Sequence, residues 1–254
     1  MKKLLSIVLT MALVLSLAGC SKPDPREIYD TASKKSGELA DMAMTYETDM
    51  KMIQGEDTLD MTMSMEMKMT GINSDNLRYV AEGTTSAMGQ EIPMSMYYED
   101  GWYYMDTMGQ KFKYAMDMET MMEQIKQSMG NANMSSEYLT DITAEKDGDS
   151  QILTFTADAS KLDSYVQDIM GMMGTGMEGV SYTIHEMSGE AVVNKEGYFS
   201  SSKILMKMDM TVEGEAVAME IDMDVVYQNP GQSVTIDTPD LEGYTEIDPS
   251  LLGQ

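Results

Sequence analysis

The chain has 254 residues, with Met 32, Trp 1, His 1 and Cys 1, and a formal net charge of -26 at pH 7. One cysteine excludes a disulfide scaffold and a Cys/His zinc module, and a Ser-His-Asp or Cys-His catalytic system would have to be built around the lone imidazole of His185. Nucleic acid is not an expected partner, because phosphate recognition rests on Lys/Arg patches and this chain is acidic throughout.

Met1-Lys2-Lys3 is a short basic start, Leu4 to Leu17 is an uncharged apolar run, and Leu17-Ala18-Gly19-Cys20 closes it with small residues before the cysteine. That is the three-part layout of a secretory signal. The apolar run falls short of the roughly 20 residues a membrane span needs. Leu-Ala-Gly-Cys also resembles the lipobox of bacterial lipoproteins. That resemblance implies cleavage after residue 19, acylation of Cys20, and a cell-membrane location facing the extracytoplasmic side. Two or three acyl chains anchor stably where one does so only marginally. Residues 1–19 are therefore expected to be the signal, 20–24 the lipidated cysteine with a short tether, and 25–254 a single domain. Loss of Lys2 and Lys3 makes the mature chain more acidic still, so it should stand off an anionic bilayer surface.

Asp24-Pro25-Arg26-Glu27 reads as a helix start, with Asp as N-cap and Pro at the first helical position. Ile28, Ala32 and Leu39 give that helix a thin apolar stripe. From Met42 the period switches to two. Met42, Met44, Tyr46, Met50 and Met52 share one parity, and after Gln54-Gly55-Glu56-Asp57 so do Leu59, Met61, Met63, Met65, Met67 and Met69. Such alternation marks a half-buried antiparallel hairpin with one thioether face and one polar face. Further strands are expected at Leu77 to Ala81, Pro93 to Tyr98, Trp102 to Met105 and Lys111 to Ala115. Asp117 caps a helix with Met118, Met121, Met122, Ile125 and Met129 at helical spacing, and Gly130-Asn131 ends it.

A hairpin around Asp147-Gly148 turns Leu153, Phe155 and Ala157 inward. A third helix is expected from Ser160 to about Met173, followed by a flexible loop from Gly171 to Gly179. The last third reads as strands at Val180 to Met187, Ala191 to Val193, Tyr198 to Val212, Ala216 to Tyr227 and Ser233 to Asp237. Its central hairpin carries Met206, Met208 and Met210, then Met219 and Met223, repeating the design of the first. An ancient duplication and two independent amphipathic hairpins explain that similarity equally well. The fold class is thus α+β: one large curved antiparallel sheet, a half-barrel of about eleven strands, with about three helices on its concave face.

The lipobox, the helix leading into long alternating strands, and the helices interrupting the sheet resemble the lipoprotein-carrier fold of LolA, LolB and mycobacterial LppX/LprG. Ile28 to Met52 and Tyr97 to Met122, with Tyr-Tyr-Glu-Asp-Gly-Trp-Tyr-Tyr-Met-Asp and Gly-Gln-Lys-Phe-Lys-Tyr, resemble an uncharacterised family of Met-rich Gram-positive lipoproteins. That family has no established activity; the resemblance to the carrier fold implies a lipid or acyl chain held between sheet and helices, and the protein is expected to be non-enzymatic.

Burying a methionine gains roughly 1.5 to 3 kcal/mol, but fixing its side chain costs about 1.5 to 2, against about 0.5 to 1 for Leu or Ile. At some fourteen strand positions the difference is on the order of 10 kcal/mol, comparable to the stability of a whole domain. Such a face either stays mobile or is stabilised in another way. Mobile thioethers suit a cavity that adapts to variable apolar ligands. The candidate lining is Met50, Met52, Met61, Met63, Met65, Met67, Met121, Met122, Met206, Met208, Met210, Met219 and Met223. A closed Met-rich core with no ligand is the alternative. Cu(I) binding through Met-X-Met strands is a third reading, and sacrificial oxidation of Met a fourth. No cofactor is expected, and the protein should be a monomer. His185, of opposite parity to Tyr182 and Ile184, should face solvent, and Asp147-Gly148-Asp149 lacks the spacing of a calcium loop. Trp102 and Tyr104 share one side of a short strand and could rim a ligand site.

Overall fold

The structure is a computed structural model, and it describes residues 23–123, 125, 134–162, 181–212 and 215–248. Helix α1, Pro25–Gly37, starts as expected: the Asp24 side chain accepts from the Arg26 backbone N–H at 2.9 Å, and Pro25 opens the helix. Its buried stripe is Tyr29, Ala32 and Ser36, at helical spacing, with Ile28 only partly buried. Tyr29 is 4% exposed. Its ring packs against Phe155 and Phe199, and its hydroxyl donates to the Met134 carbonyl at 2.8 Å.

One open, curved sheet makes up most of the rest. Its strands are β1 Met42–Gln54, β2 Asp57–Thr70, β3 Arg78–Ala87, β4 Gln90–Glu99, β5 Trp102–Thr107, β6 Gln110–Ala115, β7 Thr143–Asp147, β8 Ser150–Thr156, β9 Ser181–Val193, β10 Phe199–Val212, β11 Glu215–Tyr227 and β12 Thr245–Glu246. The order across the sheet is β12-β6-β5-β4-β3-β2-β1-β11-β10-β9-β8-β7. Two meanders thus meet where β1 pairs with β11, bringing the first and last Met-rich hairpins side by side with their tips at the same end. Every pairing is antiparallel except β12 with β6, so the sheet is mixed and has 12 strands in place of about eleven antiparallel ones.

Three other expectations are corrected. The two strands read at Val180 to Met187 and Ala191 to Val193 are one strand, β9. Lys207 pairs with Glu186 and Met208 with Ile184, so His185 is the extra residue of a bulge. The bulge shifts side-chain parity by one, which buries both Ile184 and Met187 and breaks the alternation that the sequence displays. Ser233 to Asp237 is not a strand. That segment crosses the polar face of β3 and is held by side chains: the Val234 N–H donates to Asp41, and the Ile236 carbonyl accepts from Arg78. The helix count among the described residues is also lower. Among the described residues there are two α-helices, α1 and α2 (residues 118–123 and 125), with short 3-10 turns at Ser136–Tyr138 and Ala159–Lys161. The expected helix beyond Leu162 and the loop from Gly171 to Gly179 lie outside the described residues.

Close approach dictates a glycine at position 189. A Cβ on Gly189 would lie 2.5 Å from Cζ of Phe155, so the glycine lets that ring lie flat against β9 and meet Tyr29. The core runs beneath α1 and α2 and includes Tyr29, Leu39, Met42, Met69, Leu77, Tyr98, Met121, Leu153 and Tyr227.

Candidate functional site

The pairing register assembles the methionines into rows. On the core-side face of the four central strands, Met61 lies opposite Met50, Met50 opposite Ile221, Ile221 opposite Met206, and Met206 opposite Met187 of β9. The next row toward the tips is Leu59, Met52, Met219, Met208 and Ile184. Directly opposed residues stand about 4.5 to 5.5 Å apart at Cβ, so the thioethers, with Ile221, Leu59 and Ile184 among them, form a continuous apolar surface across the strands in these two rows.

That surface is graded in exposure. Met65, Met121 and Met208 are buried; Met50, Met52, Met61, Met67, Met122, Met206, Met210, Met219 and Met223 are half-buried; Met63 is exposed. Met121 sits in the core on α2, and Met122 packs against it. At the hairpin tips the face opens on a cavity of about 560 Å³ lined by Met52, Leu59, Met88, Met210 and Val217. Gln54, Asp57, Thr58, Asp60 and Gly89 also border it. This volume falls within the roughly 300–1,000 Å³ of small-molecule sites. Sequence reasoning missed Met88. Ala87-Met88-Gly89-Gln90 is a two-residue hairpin loop with φ of 52° and 74°, and the Met-Gly pair was its only local signal.

The opposite face is polar and ion-paired. Lys203 bridges Asp222 at 2.8 Å and Asp224 at 2.9 Å, and both carboxylates hold its ammonium well above the usual lysine range. His185, on the bulge, is exposed and meets Asp209 at 2.7 Å, so it lies outside the Met face. Tyr104 also belongs to this side, packed between Tyr97 and Tyr244. Trp102 carries Lys113 over its ring. Neither aromatic therefore lies on the thioether surface, and Tyr104 borders the C-terminal strap, residues 228–248. Arg78 holds that strap: its Nε meets Glu99 at 2.7 Å, and its guanidinium donates to the Ile236 carbonyl, Tyr97 and Thr238.

Burial raises the tyrosines at the covered end of the Met face. Tyr79, opposite Met69, and Tyr227, opposite Met44, are each pushed up to about 12, and Tyr103 higher still. Among the described residues no three His, Cys, Asp or Glu side chains could jointly hold a metal ion, and no helix is long and apolar enough to cross a membrane.

A family of unknown function, DUF6612, matches residues 24–241. The chain belongs to that family. The match takes in α1, the whole Met face and most of the strap, and stops short of β12. It agrees with the resemblance to an uncharacterised family. No curated protein sequence matches. Among solved structures, the chain is similar to LprF from Mycobacterium bovis, at 13% identity over 86% of this chain and 98% of that one, TM-score 0.45. It is also similar to a DUF1329 family protein from Desulfovibrio piger, at 15% identity over 83% and 95%, TM-score 0.29. A LolA superfamily protein, NE2245 from Nitrosomonas europaea, matches at 9% identity over 85% and 95%, TM-score 0.27. These are likenesses of fold at low identity.

Proposed function

We propose that this protein is a non-enzymatic, membrane-anchored extracytoplasmic lipoprotein that holds a hydrophobic ligand, a lipid or acyl chain, against its Met face. The observation that carries this reading is the Met-rich surface over β2, β1, β11 and β10, half-buried along much of its length and opening on the 560 Å³ cavity. Half-buried methionines keep much of their rotamer freedom, so the entropy cost that argues against a Met-built core is not fully incurred. Unbranched, polarizable side chains then mould to chains of different shape. In this reading residues 1–19 are a signal, acylated Cys20 and the tether to residue 24 anchor the domain, and the mature protein acts as a monomer.

Titration with a fluorescent fatty-acid analogue tests the proposal. Saturable binding is expected, weakened about tenfold or more by Met50→Asp with Met61→Asp, since a carboxylate on each of two facing positions must be desolvated by the ligand. Absence of saturable binding in the parent protein would overturn it. One row favours a second reading, Cu(I) binding: Met52, Met219 and Met208 lie opposite one another on three adjacent strands, and thioethers select Cu(I). A copper-dependent rise in melting temperature, abolished by Met219→Leu, would support that reading.

A further inference from the structure

The geometry points to the hairpin-tip end of the sheet as the mouth of the ligand site, and to the acyl chain of an uncharged lipid as its occupant. This rests on the reading of the Met face as a hydrophobic-ligand site. The cavity there is apolar inside, with Met52, Leu59, Met210 and Val217, and its polar border carries Asp57 and Asp60. No Lys or Arg is among the described residues that line it. Lys51 and Asp60 are directly opposed and share the polar face, so Asp57 is the carboxylate on the Met-face side of the border. A phosphate-bearing head group leaving its chain in this cavity would sit beside the Asp57 carboxylate, in the field of a chain of net charge -26, with no Lys or Arg among the described lining residues to meet it. An uncharged head meets only hydrogen-bonding groups there, including Gln54 and Thr58.

Met88 marks the lip. It is 82% exposed at a left-handed φ of 52°, a conformation that disfavours a side-chain-bearing residue, and its thioether chain borders the cavity. A bound acyl chain would cover it. The neighbouring β5–β6 hairpin supplies a control. Met108 sits in the same Met-Gly loop with φ of 53° and is 69% exposed, but it does not line the cavity. Asn suits that backbone conformation better than Met, so Met88→Asn and Met108→Asn should both fold.

The full-length protein, incubated with phosphatidylcholine vesicles doped with either dioleoylglycerol or dioleoylphosphatidylglycerol, is re-isolated and its retained lipid quantified. Dioleoylglycerol should be retained about tenfold or more over the phosphatidylglycerol. Met88→Asn should cut that retention several-fold and Met108→Asn leave it unchanged, while Asp57→Asn should narrow the preference. Equal or greater retention of phosphatidylglycerol would overturn the charge selection and leave the hydrophobic-ligand reading standing. Equal effects of the two Asn variants would overturn the assignment of the mouth. Retention of neither lipid would overturn the ligand reading itself.

Discussion

Truncating Tyr29 tests how α1 is held on the sheet, and through it how an anchored N-terminus would fix the orientation of the Met face. The ring is 4% exposed, edge-on to Phe155 at 5.7 Å and tilted against Phe199 at 5.3 Å. Tyr29→Phe keeps the ring and removes the hydroxyl with its bond to the Met134 carbonyl, costing about 0.5 to 1.5 kcal/mol. Tyr29→Ala removes the ring as well and leaves a cavity among aromatics, costing roughly 3 to 5 kcal/mol. At about 2 to 4 °C per kcal/mol for a chain of this size, the alanine variant should melt about 6 to 20 °C lower and the phenylalanine variant a few degrees lower. Thermal unfolding followed by circular dichroism reads both. In a double-mutant cycle, Tyr29→Leu with Phe155→Leu should show coupling of about 0.5 to 1.5 kcal/mol from the edge-on pair. An alanine variant melting within about 2 °C of the parent would refute the docking of α1.

Gly83→Val should destabilise by about 1 to 3 kcal/mol in denaturant titration although valine favours strands, because a Cβ there would lie 2.0 Å from the Ser64 carbonyl oxygen and 2.6 Å from Sδ of Met65; a stabilised variant would show that β2 and β3 are not so closely apposed. Arg78→Leu frees the strap from its hydrogen bonds to Ile236 and Thr238, so limited proteolysis should cut within residues 228–248 faster than in the parent, whereas an unchanged digestion pattern would show that other contacts hold it. Tyr79 and Tyr227 have folded pKa values raised from 10.0 to about 12, so the stability they contribute is complete below pH 10.0 and is lost as pH rises toward 12. Alkaline unfolding should therefore set in across that window, with part of the tyrosinate absorbance appearing only as the chain unfolds. Complete titration of the tyrosines near pH 10.0 without loss of structure would contradict their burial.

The parts of the fold visible in the sequence are those governed by local rules. Leu59 to Met69 alternate strictly because β2 covers a core with one face, and the Gln54-Gly55-Glu56-Asp57 turn fixes its register with β1, so the facing of Met50 and Met61 follows from local sequence. The Asp24 cap and Pro25 start of α1 are local too. Pairing of β1 with β11 is not, since Met44 and Tyr227 meet across nearly the whole chain and nothing in either hairpin names its outer neighbour. The bulge at His185 defeats a periodicity reading because one inserted residue inverts parity within β9, and Ser188-Gly189-Glu190, lacking strand formers, makes β9 look like two strands. Val234 and Ile236 have strand-forming side chains, yet the strap is bound by Asp41 and Arg78, far away in sequence, and forms no ladder there. Met88 shows the same limit: its loop is local, but its place at a cavity depends on β1, β2, β10 and β11 gathering beside it.

Native mass spectrometry of the protein purified from its own membrane bears most directly on the claim that the Met face holds a hydrophobic ligand. The expected result is a species heavier than the acylated chain by the mass of one lipid, lost on organic extraction and diminished in the Met50→Asp, Met61→Asp variant. A chain carrying only its covalent acyl groups, or one heavier by copper alone, would contradict the claim.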